Sequence, residues 1–196
     1  MSHLVGQKAP EFTVQGVSAS GDIKSYSLAE FKGKHVVLFF YPLDFTFVCP
    51  LELFEMSKLA GEFEQENAVV LGVSIDSEHT HAAWRNTAVS DGGVGALNFP
   101  LLADIDRHMM TAYGVANTSP NVALRATIII DPEGMVRIQQ LNDLPVGRNP
   151  SEILRLVKSL AFHDEHGDVC PPSWEPGAKS LSPTKESLLA YQAEAH

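Results

Sequence analysis

Cysteine is scarce in this chain: 196 residues hold only Cys49 and Cys170. A small secreted scaffold stapled by disulfides carries more of them in a shorter chain, so that class is excluded. No C-x-x-C occurs, which argues against an ordinary dithiol–disulfide oxidoreductase. So few sulfur ligands also argue against structural zinc. The two thiols stand 121 positions apart (170 − 49). They fit three readings: inert residues, a structural bridge or a redox pair. Positive charge is also short, with 14 Lys+Arg against 24 Asp+Glu and a net charge of −10. A nucleic-acid partner is therefore not expected. No apolar run approaches the roughly 20 residues that span a bilayer. Residues 1–8 carry no signal-type apolar region, so a cytoplasmic protein with no membrane partner is expected. Internal repeats and low-complexity tracts are absent.

What is present centres on residues 42–49, Pro-Leu-Asp-Phe-Thr-Phe-Val-Cys. The most apolar strand candidate, His35 to Tyr41, precedes them, and a helical pattern from about Pro50 to Asn67 follows. Cys49 thus stands where a buried strand hands over to a helix. Pro50 suits the first helical position, where a missing N–H is no loss. A sulfur at a helix start faces free N–H groups and the positive end of the dipole, and both favour the nucleophilic thiolate. The plainer alternative is a buried cysteine acting as a small hydrophobe.

The rest of the chain reads as alternating strands and helices. Residues 11–15 and 22–27 alternate and form a hairpin, with Ile23 and Tyr26 expected inward. Ser27 and Glu30 have capping-box spacing for one helical turn. Leu53, Met56, Leu59, Ala60 and Phe63 make one apolar helix face. Residues 68–75 and 126–131 are near-continuous apolar runs, as in strands buried on both faces. Helices are expected at 77–88, with Trp84 inward, and at 106–113, with a short strand at 98–103. A hairpin at 126–140 follows, then a helix at 151–162 with Ile153, Leu156, Val157 and Leu160 inward. This order predicts an α/β domain with a mixed central sheet and helices on both faces. Four prolines between 171 and 183 exclude a regular helix there. His79 and His81 read as exposed residues at a helix start. His163, Asp164, Glu165 and His166 read as solvated surface, and no metal is expected. Trp174 fits either a partner contact or a hydrophobic anchor.

Pro42-x-x-x-Thr46-x-x-Cys49 after a strand ending Phe-Tyr resembles the peroxidatic motif of peroxiredoxins. Val169-Cys170-Pro171, with Trp174 and Pro176-Gly177 behind it, resembles the resolving-cysteine segment of the typical 2-Cys group. Leu124 to Asp131 resembles the strand with the family's active-site arginine, and Ala9-Pro10-Glu11-Phe12 its N-terminal segment. The resemblance spans residues 4 to 178 and is nearest to the peroxidase component (the C protein) of bacterial alkyl hydroperoxide reductase and its relatives. It implies a thioredoxin-like fold with an N-terminal β-hairpin extension: a domain over 4–164 and a C-terminal tail over 165–196. It implies a thiol peroxidase acting on hydrogen peroxide and organic hydroperoxides. Cys49 would be the nucleophile. Arg125 would be its cation, Thr46 would orient the peroxide, Pro42 would screen the sulfur, and Glu52, one turn on, would hold the arginine. A sulfenic acid on Cys49 would condense with Cys170 of a second copy of the chain. Thioredoxin or a flavoprotein disulfide reductase would then restore the thiols, with no bound cofactor. A homodimer assembling into a decameric ring is implied. The rival class is a non-catalytic, chaperone-like oligomer on the same fold.

Gly92-Gly93-Val94-Gly95 resembles the Gly-Gly-Leu-Gly insertion of overoxidation-sensitive members, but no phenylalanine follows Phe162 to form the accompanying Tyr-Phe pair. Half of that locking device is missing, so activity should survive excess peroxide as in the robust bacterial type. A peroxide titration of turnover checks this, and loss of activity at modest excess would contradict it.

Overall fold

A computed structural model of the chain describes residues 3–119 and 121–195, leaving aside the side chains of 194 and 195. The chain divides into two compact units between Pro150 and Ser151. The first opens with β1 (Thr13–Val17) and β2 (Ile23–Ser27), paired antiparallel with Thr13 opposite Ser27. Leu28–Phe31 makes one 3-10 turn, where the Glu30 carboxylate accepts from the Ser27 N–H at 2.7 Å. Then come β3 (His35–Phe40), α1 (Cys49–Lys58), α2 (Ala60–Gln65), β4 (Ala68–Ser74) and α3 (Glu78–Asn86). They are followed by β5 (Leu101–Ala103), α4 (His108–Ala112), β6 (Ala116–Asn117), β7 (Val122–Ala123), β8 (Arg125–Ile130) and β9 (Val136–Asn142). The second unit holds α5 (Pro150–His166) and α6 (Lys185–Ala195).

Seven strands form one sheet in the order β2-β1-β5-β4-β3-β8-β9. β3, β4 and β5 run parallel, and β1, β2, β8 and β9 make antiparallel pairs, so the sheet is mixed as expected. Central β3 is buried along its whole length. Its side chains alternate between two faces. Val36, Leu38 and Phe40 join Leu71, Val73, Met109, Tyr113 and Ile128 in the main core. Val37, Phe39 and Tyr41 point the opposite way, into the layer that holds the site described below.

Several expectations need correction. Ile23 is 45% exposed while Tyr26 is buried. Positions three apart in a strand face opposite sides, so both could not point inward. The expected helix over 50–67 is two helices broken at Leu59, just before Gly61, whose helix propensity is poor. Leu53, Met56, Ala60 and Phe63 are buried as expected, whereas Leu59 is half-buried. In α5, Ile153 and Val157 are buried with Leu154, while Leu156 and Leu160 are half-buried. The small β6–β7 pair was not anticipated. Nor was α6: it begins after the last proline of the tail, where the Thr184 hydroxyl accepts from the Ser187 N–H at 3.2 Å as a helix cap. Trp174 is an anchor within its own unit, packed on Phe162 with ring centroids 4.7 Å apart. No group of three or more His, Cys, Asp or Glu among the described residues could hold a metal ion. No helix there is long and apolar enough to cross a membrane.

The segment 92–95 docks on the end of α3: the Trp84 indole donates to the Gly92 carbonyl at 2.8 Å, and Val94 is buried. A Cβ on Gly93 would run into the Thr87 backbone carbonyl and its side chain. Gly93→Ala should therefore lower stability by about 1–3 kcal/mol through overpacking. Urea unfolding checks this; a change below about 0.5 kcal/mol, the range of neutral surface changes, would contradict it.

Candidate active site

Cys49 is the first residue of α1 and fully buried. Pro50 is the second helical residue rather than the first, because the helix opens one residue earlier than the proline suggested. No side chain caps this helix start. Pro50 has no N–H, and the N–H groups of Leu51 and Glu52 bond back to the Val48 carbonyl at 3.1 and 3.2 Å. The helix end thus offers the sulfur fewer free donors than its position implied. The side-chain donor to the sulfur is instead Arg125, whose Nη1 lies 3.3 Å from Sγ.

Arg125 opens β8, which pairs antiparallel with β3, Thr127 opposite Phe39. That register sets its side chain near the end of β3, where the chain turns toward Cys49. The guanidinium is buried and triply tethered. Nη1 also donates to Glu52 Oε2 at 2.8 Å, and Nε donates to the Leu144 carbonyl at 2.6 Å. Glu52 lies one turn beyond Cys49 on the same helix face, as its spacing predicted.

A second arginine, which the sequence reading missed, completes the site. Arg148 Nε and Nη2 reach the two oxygens of Glu52 at 2.9 and 3.1 Å, and its backbone N–H adds a third bond at 2.8 Å. Nη1 donates to the Ala126 carbonyl at 2.6 Å. The guanidinium lies 3.3 Å above the Phe39 ring, a cation–π contact on the second face of β3. Burial alone would raise the Glu52 carboxyl, but the hydrogen bonds and charge of Arg148, and then the charge of Arg125, outweigh it and hold the group below its ordinary value. Burial pushes the Arg148 guanidinium down, and Glu52 opposes that shift.

The loop 42–48 carries the remaining predicted residues. Pro42 is buried and Thr46 half-buried. The Thr46 hydroxyl donates to the Leu43 carbonyl at 2.9 Å, closing the loop on itself. Asp44, within the motif but passed over in sequence, is buried. It accepts from the Tyr41 hydroxyl at 2.8 Å and meets His81 Nδ1 at 2.7 Å. His81 is therefore fully buried, against expectation, while His79 is exposed as expected. His81 Nε2 faces the Leu102 carbonyl at 3.1 Å. A carbonyl only accepts, so Nε2 carries a proton and the Asp44–His81 pair shares one more. Burial pushes Asp44 upward, opposed by His81 and Tyr41. His81 shares a helix face with Trp84 three residues on, a spacing that could have placed it inside.

The structure thus brings together Cys49, Glu52 and Arg125, with Pro42 and Thr46 in the loop leading to them. Cys170 belongs to the second unit. It is half-buried, and its thiol donates to the Ser159 carbonyl at 3.6 Å. Burial raises it, while the Ser159 bond and the Arg155 charge work against the rise.

A buried sulfur set against a guanidinium at the end of a central strand of a thioredoxin-like sheet is the arrangement of a thiol enzyme. The AhpC/TSA family model matches residues 5–139, and the C-terminal domain of 1-Cys peroxiredoxin matches residues 159–192. Bovine peroxiredoxin-2 is 49% identical over 187 residues, covering 95% of this chain and 94% of its own length. The reduced 2-Cys peroxiredoxin of Plasmodium vivax superposes with a TM-score of 0.95 at 38% identity, covering 98% of this chain and all of that one. Enterococcus faecalis AhpC superposes with a TM-score of 0.81 at 34% identity, covering 87% of this chain and 100% of its own. The chain belongs to the AhpC/TSA family, as a peroxiredoxin with thiol peroxidase activity.

Glu52 also makes stability depend on pH. Its folded value lies below the unfolded one, so its contribution is fully present above the ordinary value of 4.5 and is lost as pH falls through the depressed value. Glu52→Gln should flatten that acid limb. It should also lower stability at neutral pH by roughly 3–5 kcal/mol, because a buried guanidinium is left unpaired. Urea unfolding across pH 3–7 checks both; an unchanged acid limb in the variant would contradict the assignment.

Proposed function

We propose that Cys49 is the peroxidatic nucleophile and that the observation carrying this reading is the Arg125 guanidinium 3.3 Å from its buried sulfur. The thiolate attacks one peroxide oxygen in line and an S–O bond forms. The O–O bond breaks, its electron pair leaves on the departing oxygen, and a proton converts that oxygen to water or an alcohol. Arg125 supplies a fixed charge where negative charge moves from sulfur to oxygen, with no reorganisation needed. Glu52 and Arg148 do not touch the substrate; they position Arg125 and lock its rotamer. Thr46 offers a hydroxyl that both donates and accepts, suited to orienting an HO–OR group, once it leaves Leu43. Pro42 presents a rigid apolar ring that screens the sulfur from water.

The product, a sulfenic acid on Cys49, is the first reversible stage of thiol oxidation. The Cys170 thiol, on the C-terminal tail of a second copy of the chain, then attacks it, forming a disulfide and releasing water. Thioredoxin or a flavoprotein disulfide reductase returns both sulfurs to thiols in the cytoplasm. The functional assembly is a homodimer that associates further, a decameric ring being the form the family resemblance supports.

Cys49→Ser should reduce peroxide turnover to background in an assay coupled to a thioredoxin system. Arg125→Met should cut kcat/KM by about 10²–10³ with Cys49 intact. Cys170→Ser should still form the Cys49 sulfenic acid after one equivalent of peroxide, trapped by dimedone and read by mass, yet yield no covalent dimer on a non-reducing gel. Full turnover in Cys49→Ser, or an unchanged covalent dimer in Cys170→Ser, contradicts the respective assignment. A correctly folded wild-type oligomer without turnover would leave only the chaperone-like reading.

A further inference from the structure

Arg85, near the end of α3, is an arginine without a counter-ion. It is only 8% exposed, yet no carboxylate of the described residues lies within ion-pair reach. Nη2 donates to two backbone carbonyls, Ala19 at 2.7 Å in the β1–β2 turn and Leu97 at 3.2 Å. Nη1 is buried and donates to no acceptor. Folded proteins retain few buried polar groups of this kind, and a charged one is the most costly to leave unmade. Burial accordingly pushes the guanidinium below its ordinary value. Every other buried arginine of the first unit faces a carboxylate: Arg125 and Arg148 share Glu52.

Arg85 also lines an open cleft of about 160 Å³ outside the peroxidase site. Ser20 from the β1–β2 turn, Asn86 from the end of α3, and Gly95 and Ala96 at the end of the docked glycine segment line it too. Three separate stretches of chain thus line the cleft, with a hydroxyl and a carboxamide beside one unneutralised guanidinium. We propose that this cleft binds a small phosphate-type oxyanion, with Arg85 as its charge partner and Ser20 and Asn86 as donors at its rim. A tetrahedral ion presents oxygens in several directions, which suits donors arriving from the β1–β2 turn and from the end of α3. A guanidinium gives such an ion forked, charge-assisted bonds. In the unliganded arrangement the Ser20 hydroxyl donates to Asp22 Oδ2 at 2.7 Å. Binding turns that hydroxyl to the anion, so the Asp22 charge on the same turn limits affinity.

Isothermal titration of the intact protein with inorganic phosphate, at constant ionic strength in chloride, tests this. The wild type should give saturable heat, and folded Arg85→Gln should give none. Should Arg85→Gln fail to fold, Asn86→Asp at the exposed rim should weaken binding by about tenfold or more, through like-charge repulsion. Absence of saturable binding in the wild type overturns the proposal. So does full affinity in folded Arg85→Gln, or unchanged affinity in Asn86→Asp. Acetate binding as tightly as phosphate overturns the tetrahedral assignment.

Discussion

One carboxylate gripped by two guanidiniums is the constraint on which the site depends. Glu52 accepts from Arg125 on one oxygen and from Arg148 on both. Neither arginine can be buried alone without heavy cost, and a buried charge is tolerated only when paired and hydrogen-bonded. Glu52 neutralises one of the two positive charges. The other is matched only when the sulfur beside Arg125 is ionised, for two cations and two anions then sum to zero. The same three side chains therefore hold the arginine still and leave one unit of positive charge facing Cys49. Packing and reactivity have a common source here, which is why the cost of burying the charges is not wasted.

The sheet explains why these groups meet. β3 separates two chemistries by its pleat. Its even-numbered residues fill the core, and Phe39 on the other face supplies the ring beneath Arg148. β8, antiparallel to β3, carries Arg125 toward the end where β3 gives way to the loop. α1 then starts with the sulfur and presents Glu52 one turn later. Strand ends at the carboxyl edge of parallel strands are where open α/β sheets place their sites. Here three sequence-distant segments, around 49–52, 125 and 148, converge at that edge.

Much of this was legible from residue order. Apolar runs marked β3, β4 and β8 because buried strands have little freedom in composition. The spacing from Cys49 to Glu52 placed both on one helix face because the helical period requires it. Arg125 was legible only through the motif around it; a lone arginine at a strand start carries no such signal. Arg148 was invisible for a physical reason. It comes from an irregular segment before α5, where no period links side chain to face, and its bonds to Glu52 span 96 positions. His81 reads as exposed by residue type alone, whereas its position on the helix decides its burial. Its spacing to Trp84 put it on the inward face, and a carboxylate from the motif loop offsets the cost of burying it. α6 was missed because the prolines before it dominated the reading of the whole tail.

The motif loop is held unevenly. Its first half is anchored by side chains outside the loop: Tyr41 and His81 grip the Asp44 carboxylate, and the Asp44 N–H donates to Asp76 at 2.9 Å. Its second half has less: the outside ring contact is Phe45 on Trp84, with centroids 5.8 Å apart. Phe45 takes a left-handed backbone with φ of 52°, which an aromatic residue adopts only under constraint, and Phe47 is 93% exposed. Thr46 bonds only within the loop. Local opening follows the weakest set of contacts. The weaker hold thus lies beyond Asp44 and in the first turn of α1, where the Val48 carbonyl accepts from two amides and no side chain caps the end. The Glu52–Arg148 pair, which ties α1 to the segment before α5, has bonds that do not pass through that weaker stretch.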